Sequence, residues 1–313
     1  MRGLALALAL VAAPAGAETA DERQDRQCRA AWEAATAYPA GPRLTGSYDG
    51  LEDGWCAYSG IFLVTEGYTP DVEIDKLRLK GDALGAFLLD ERLDPDLDLA
   101  VQFDGLRMVP QVDQPQLDWL YRAQFRAYGI SGDMALDWDA ATREVTLSQL
   151  SLDFPGSNSV SFVARVEQVD LSSMAAAEMS ATSFALTEAT LDVTSHGLFE
   201  TYLLLALGGI VLPYEGDMDA AAETLRADTL AVMADLPDPA FSAASKDALA
   251  RLVQELPNPS GRLTVDFTAQ PGFGPARFGF MALKGIPTTV DEASSLFQGI
   301  VADVTWTHQD MPD

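Results

Sequence analysis

A chain of 313 residues, 48% of them apolar, is long enough to bury a substantial core and does not have the composition of a disordered polymer. Its 47 acidic residues against 20 basic ones give a net charge of −27, a field that repels polyanions, so nucleic acid is excluded as a partner and anionic lipid head groups are disfavoured. With two histidines and two cysteines, the chain lacks the stock for a multi-histidine metal site or a histidine-rich acid/base centre, and no cofactor is expected.

Residues 1–17 read as a secretory signal peptide: Arg2, an apolar run from Leu4 to Ala13, then the small-x-small site Ala15-Gly16-Ala17. The run is shorter than the ~20 apolar residues that span a bilayer. The expected mature chain, 18–313, is then a single domain free in an oxidising compartment such as the periplasm. Cys28 and Cys56 are the only cysteines, and in an exported chain an even pair reads as a disulfide. In the chain-entropy account such a loop stabilises by about 3.6 kcal/mol.

From about residue 57 to 195 the chain alternates apolar and polar residues, the signature of strands with one buried face. Five segments interrupt the alternation with one three-residue step: Ile74 to Leu77, Phe103 to Leu106, Leu147 to Leu150, Val166 to Val169 and Leu186 to Ala189. In a pure strand such a step moves the second half to the other face, so a β-bulge must absorb a residue or the strand must pass between two apolar environments. Repeated bulges bend a sheet, and a curved antiparallel meander is the expected architecture. Asp139 to Glu144 is a polar connection suited to a hairpin between the Met134 and Val145 segments. Gly129-Ile130-Ser131-Gly132, a near miss of a dinucleotide fingerprint, reads as a turn.

The texture changes over about 198–257, where Leu198 to Leu212, Asp217 to Leu236 and Phe241 to Leu256 read as three helices punctuated by Pro213, Pro237 and Pro257. The segment 203–212 is apolar all round, which suggests a central core helix, with a lid over an apolar cavity as the alternative. Strands resume at Leu263/Val265/Phe267 and Phe278/Phe280, a short helix follows near Glu292 to Gln298, and Val301 to Trp306 forms a last strand of a β return over about 261–308. The expected fold class is therefore α+β: a curved antiparallel meander, a three-helix insertion and C-terminal return strands.

The hairpin from Met134 to Phe154, with its Ala135-Leu136-Asp137-Trp138-Asp139-Ala140-Ala141-Thr142 turn and Val145 to Leu152 strand, resembles the repeated hairpins of AsmA-like envelope proteins. The block from Ala189 to Val265 is similar to uncharacterised exported proteins of Alphaproteobacteria that carry the same hairpin. The resemblance covers about half the chain and implies an envelope protein whose curved sheet handles acyl chains.

Chemistry is sparse. Ser195, His196 and Glu200 are adjacent in sequence, which helix capping explains better than a catalytic triad. Asp90, Glu91, Asp94, Asp96 and Asp98 form the densest acidic cluster but lack the glycine and the distal glutamate of a calcium loop, so a solvated strand face is expected and no metal ligands are assigned. Glu215, Asp217 and Asp219 read as a helix start. Catalytic residues are assigned to none of these; paired carboxylates leave an enzyme reading open. The leading expectation is a periplasmic binding or carrier protein for an acyl or lipid-like ligand, lined by Phe103, Leu147, Phe162, Phe184 and Leu191. The alternative is an envelope assembly factor that binds a protein partner and no small ligand.

Overall fold

The structure is a computed structural model and describes residues 19–37, 43–64, 71–81, 96–110, 112, 114–213, 215–275, 277 and 294–310. The signal segment, Asp90, Glu91, Asp94, Phe278, Phe280 and Glu292 lie outside the described residues. Ten strands pair in sequence order into one antiparallel sheet: β1 (Arg43–Glu52), β2 (Trp55–Val64), β3 (Asp71–Lys80), β4 (Asp96–Val109), β5 (Ile130–Asp139), β6 (Glu144–Phe154), β7 (Asn158–Glu167), β8 (Ala185–His196), β9 (Ser260–Phe273) and β10 (Ile300–His308). The helices are α1 (Ala20–Ala37), α2 (Pro115–Phe125), α3 (Met174–Ser180), α4 (Leu204–Val211), α5 (Met218–Ala234) and α6 (Ala243–Glu255), with a π-helical turn at Phe199–Leu203 leading into α4. The α+β class, the meander, the helical insertion between β8 and β9 and the β return are all present. The meander starts earlier than the sequence suggested, at β1, and α1, α2 and α3 are additions.

Local chemistry accounts for the boundaries. The Asp139 carboxylate accepts the backbone N–H groups of Ala141 and Thr142, closing the β5–β6 hairpin, and Arg143 completes the turn at φ 55°. Asp217 caps α5 by accepting the N–H groups of Asp219 and Ala220, and Ser242 caps α6 by accepting that of Ser245. Cys28 of α1 and Cys56 of β2 form a disulfide, Cα atoms 5.5 Å apart.

The three-residue steps are resolved by the pairing. Leu136 and Met134 of β5 stand opposite Leu147 and Leu150 of β6, so a two-residue step on one strand faces a three-residue step on the other and both leucines stay on one face. Leu186 and Ala189 of β8 face Val166 and Ala164 of β7 in the same way, and Phe103 and Leu106 of β4 face Gly132 and Ile130 of β5. The Ile74-to-Leu77 step produces no register shift against its neighbours, because Asp75 is opposite Gly60 of β2 and Gly105 of β4, both at positive φ (57° and 70°). All three strands deform at one level. Val166 to Val169 is different: β7 ends at Glu167, and Val169 lies in the following turn, where its carbonyl accepts the Trp138 indole N–H at 2.9 Å. Gly129-Ile130-Ser131-Gly132 is not a turn, since Ile130 to Gly132 open β5.

One transverse row shows the result. Tyr48, Tyr58, Leu77, Phe103, Gly132, Leu152, Val160, Val193, Leu263 and Trp306 are successive cross-strand partners from β1 to β10. Directly opposed residues share a face, so the sheet carries one continuous apolar face. At one end α1 covers it: Trp32 lies 5.1 Å from Tyr58, and Cys28, Cys56, Tyr58 and Ile61 form a buried cluster with Leu44, Leu77 and Leu79 against it. At the other end α6 covers it, burying Ala248, Val304 and Trp306 against Leu249, Leu252, Leu263 and Val265.

Candidate functional site

Between these two covers, among the described residues, no helix packs extensively on β5 to β8. Phe103, Leu136, Leu147, Leu150, Leu152, Phe162 and Leu191 are half-buried, neither sealed under a helix nor fully in water. Five strands, β4 to β8, make this floor, and at the usual strand spacing it is roughly 19 Å wide. Phe103 crosses the strand boundary onto Gly132, where an added Cβ would lie 2.8 Å from the ring and 2.4 Å from the Ser151 carbonyl oxygen. Only glycine fits there. Leu147 is opposite Ala164, which is opposite Ala189, and Phe162 is opposite Leu191, so bulky and small residues alternate across neighbouring rows.

Of the five lining residues expected from the sequence, Phe103, Leu147, Phe162 and Leu191 fall on this one face. Phe184 does not join them: it ends the turn after α3, one residue before β8, and is 37% exposed. Leu136, Leu150, Leu152, Val160 and Val193 belong to the floor as well. Their alternation marked them as strand residues, but only the cross-strand register places them beside Phe103 and Phe162.

The opposite face is polar and acidic. Asp98 pairs directly with Asp137 and Asp266 with Asp303 across the strands. Arg262 holds Asp192 with two N–H groups, and its guanidinium keeps the Asp192 carboxyl below the usual carboxylate range. At the Gly105 deformation, Arg107 is 9% exposed and bonds Glu73 at 2.8 Å, Asp75 at 2.8 Å and the Gly105 carbonyl at 2.9 Å. Among the described residues no group of three or more His, Cys, Asp or Glu side chains is placed to hold a metal ion.

The Ser195-His196-Glu200 cluster does not assemble as a triad. The buried Ser195 hydroxyl donates to the Pro259 carbonyl, His196 Nδ1 is 3.0 Å from Ser260 Oγ, and Glu200 accepts from Asn258 Nδ2 at 2.8 Å. These bonds stitch the end of β8 to the start of β9. The 198–212 segment is also not a core helix. Leu203, Leu207, Ile210 and Val211 are 44%, 43%, 79% and 51% exposed. Among the described residues no helix is long and apolar enough to cross a membrane. No family model matches the chain, and no curated protein matches it significantly.

Proposed function

We propose that the protein binds a hydrophobic, acyl-chain-like ligand along the open floor of β4 to β8. The observation that carries this reading is the uninterrupted apolar face, which is sealed by α1 and α6 at its two ends and left half-exposed in the middle. Contiguous apolar surface of more than a few hundred Å² on a water-facing protein marks an interaction site. The floor strands β4 to β8, each at least 10 residues long, offer a track of roughly 30 Å, enough for an extended chain molecule. The Cys28–Cys56 disulfide supports residence in an oxidising compartment such as the periplasm, reached through the signal segment 1–17. The resemblance of the sequence of β5 and β6 to AsmA-like hairpins supports the same cargo class.

The test is organic extraction of the purified chain followed by mass spectrometry, with titration of a fluorescent fatty acid. A stoichiometric lipid and saturable uptake are expected, with uptake falling at least tenfold in Phe162→Asp and Leu191→Asp. A clean extract with no uptake would eliminate the carrier reading and favour a protein partner on the same face.

A further inference from the structure

The last strand leaves part of its edge unfinished. β10 has β9 on one side, and on its other side the Ala302 and Val304 N–H groups donate to the Ala240 carbonyl at 2.8 Å and to Ser245 Oγ at 3.1 Å. Backbone groups alternate in direction along a strand, so Trp306 and His308 turn theirs outward as well, and Gln309 turns inward to donate to the Ser260 carbonyl. Among the described residues nothing is bonded to the Trp306 or His308 N–H, or to the Val304 or Trp306 carbonyl. A row of two acceptors and two donors therefore faces out over residues 304–308.

Beside this row runs a groove of about 420 Å³ between residues 304–308 of β10 and Ala244, Ala248 and Arg251 of α6. Those three recur at spacings of four and three, so they form one stripe of the helix. Ser245 on Val304 at one end, and Glu255 on Trp306 and His308 at the other, show that α6 runs the same way as the strand. Ala244 thus lies towards Val304 and Arg251 towards His308. Arg251 is exposed and, among the described residues, has no ion pair: both Glu255 oxygens are held by Trp306 Nε1 and His308 Nδ1, and Asp247, one turn earlier, makes no ion pair with it.

The order of the free groups selects the occupant. Acceptor, donor, acceptor, donor at the repeat of a strand is matched by an extended polypeptide. In a parallel pairing one incoming residue gives its N–H to the Val304 carbonyl and accepts the Trp306 N–H, and the residue two further on does the same with the Trp306 carbonyl and the His308 N–H. All four groups are then used, and the Val304 N–H stays with Ser245. The chain itself begins this pattern, since Phe241 makes a parallel bridge with Ala302 before the turn into α6. A second copy fits less well: a two-fold axis sets β10 antiparallel to β10, and a ladder that then covers Val304 brings a carbonyl to the N–H that Ser245 already holds. The parallel occupant runs from Ala244 towards Arg251 with alternate side chains in the groove, and the outward row ends at His308. An occupant that ends there leaves no group unmatched and brings its terminal carboxylate to the guanidinium.

We propose that the β10 edge binds the extended C-terminal tail of a partner protein in parallel register, with alternate apolar side chains against Ala244 and Ala248 and the terminal carboxylate on Arg251. This site is separate from the β4–β8 floor. Fluorescence anisotropy with a short labelled peptide of alternating threonine and valine, ending in valine with a free carboxylate, tests it. Saturable binding is expected, weakened about tenfold by C-terminal amidation or by Arg251→Gln, the scale of one charge-assisted hydrogen bond. Arg251→Gln should bind the free and amidated peptides alike, and its circular dichroism spectrum should overlay the parent because Arg251 is exposed. N-methylation of the threonines, whose N–H groups face β10, should abolish binding, and N-methylation of the valines should not. Hydrogen exchange at the Trp306 and His308 amides should slow in the complex, while that at Val304 stays as it was. Failure of fatty-acid uptake would leave these results unmoved, which separates the edge from the carrier reading. No binding at about 1 mM peptide, equal affinity for the free and amidated peptides, or loss on methylating the valines rather than the threonines would overturn the proposal. So would a dimer in sedimentation velocity that protects the same two amides and excludes the peptide.

Discussion

Replacing Arg107 with methionine keeps the length of the side chain and removes the charge that holds the β3–β4 deformation. Glu73 is 12% exposed and Arg107 9%, so the substitution strands a nearly buried carboxylate and also removes the donor to the Gly105 carbonyl. Breaking a buried pair from one side costs about 3–5 kcal/mol, and because Glu73 retains a little water the lower end applies, about 3 kcal/mol. Asp75 adds little to this figure, since its side chain is 57% exposed and solvent screens the pair. Urea unfolding at pH 7 should show the loss as a lower midpoint with an unchanged slope, and adding Glu73→Gln should restore at least half of it because no buried charge is then left alone. The pH dependence has a defined sign. Hydrogen bonding from Arg107 holds the Asp75 carboxyl below its ordinary value, so its stabilisation is fully present above the unfolded carboxyl pKa of about 4 and is lost as the pH falls through the folded value. Below pH 4 the parent should therefore lose stability more steeply than Arg107→Met. A variant within about 0.5 kcal/mol of the parent at pH 7 would refute the claim that this triad holds the bulge.

Ser245→Ala should destabilise by about 1–3 kcal/mol, because Ser245 is 2% exposed and its hydroxyl is the acceptor for the Val304 N–H at 3.1 Å, leaving that group buried and unpaired; hydrogen exchange at the Val304 amide, faster than at Val265, would show it. Replacing Cys28 and Cys56 together by serine removes a link across 28 residues and should cost about 3.6 kcal/mol. Dithiothreitol should lower the melting temperature of the parent to that of the double variant and leave the double variant unmoved.

The central sheet was legible because its signal is chemical and periodic: alternation gives a face, and a three-residue step that keeps the apolar pattern is what a bulge looks like in sequence. Val166 to Val169 failed because the same spacing arises when a strand stops and the next apolar residue packs from a turn, as the Trp138–Val169 hydrogen bond shows. β1 escaped notice because Gly46 and Gly50 interrupt its alternation, and both are at positive φ (142° and 122°). α1 buries only Cys28 and Ala31, too little to produce a helical stripe, and its place is set by the disulfide and by Trp32 on Tyr58. The site was half legible. Phe103, Leu147, Phe162 and Leu191 were placed on one face by periodicity, but which residues lie beside them depends on strand register, a property of pairs. Phe184 followed the alternation of β8 outward by one residue too many.

The exposure of the apolar residues of 203–211 has a thermodynamic consequence. Hydrophobicity states how strongly a segment favours leaving water, not which surface will receive it. A fully buried leucine or isoleucine gains about 1.5–3 kcal/mol, so leaving Leu203, Leu204, Leu207, Ile210 and Val211 roughly half exposed forgoes about 5 kcal/mol. That is comparable to the entire net stability of many domains. The chain has meanwhile closed its vulnerable edge with care: Ala302 N–H donates to the Ala240 carbonyl and Val304 N–H to Ser245, so β10 does not offer an open ladder along that stretch. A sequence that caps two N–H groups of an edge strand but leaves a five-strand apolar floor half-buried and an apolar helix stripe exposed has not been shaped for self-contained stability alone. Both surfaces are apolar, and Gly197, Leu198 and the π turn are all that separate α4 from the end of β8, a strand of the floor. The free energy that each forgoes in water is recovered by any contact that removes apolar surface from water, which is the physical reason for reading the two surfaces together.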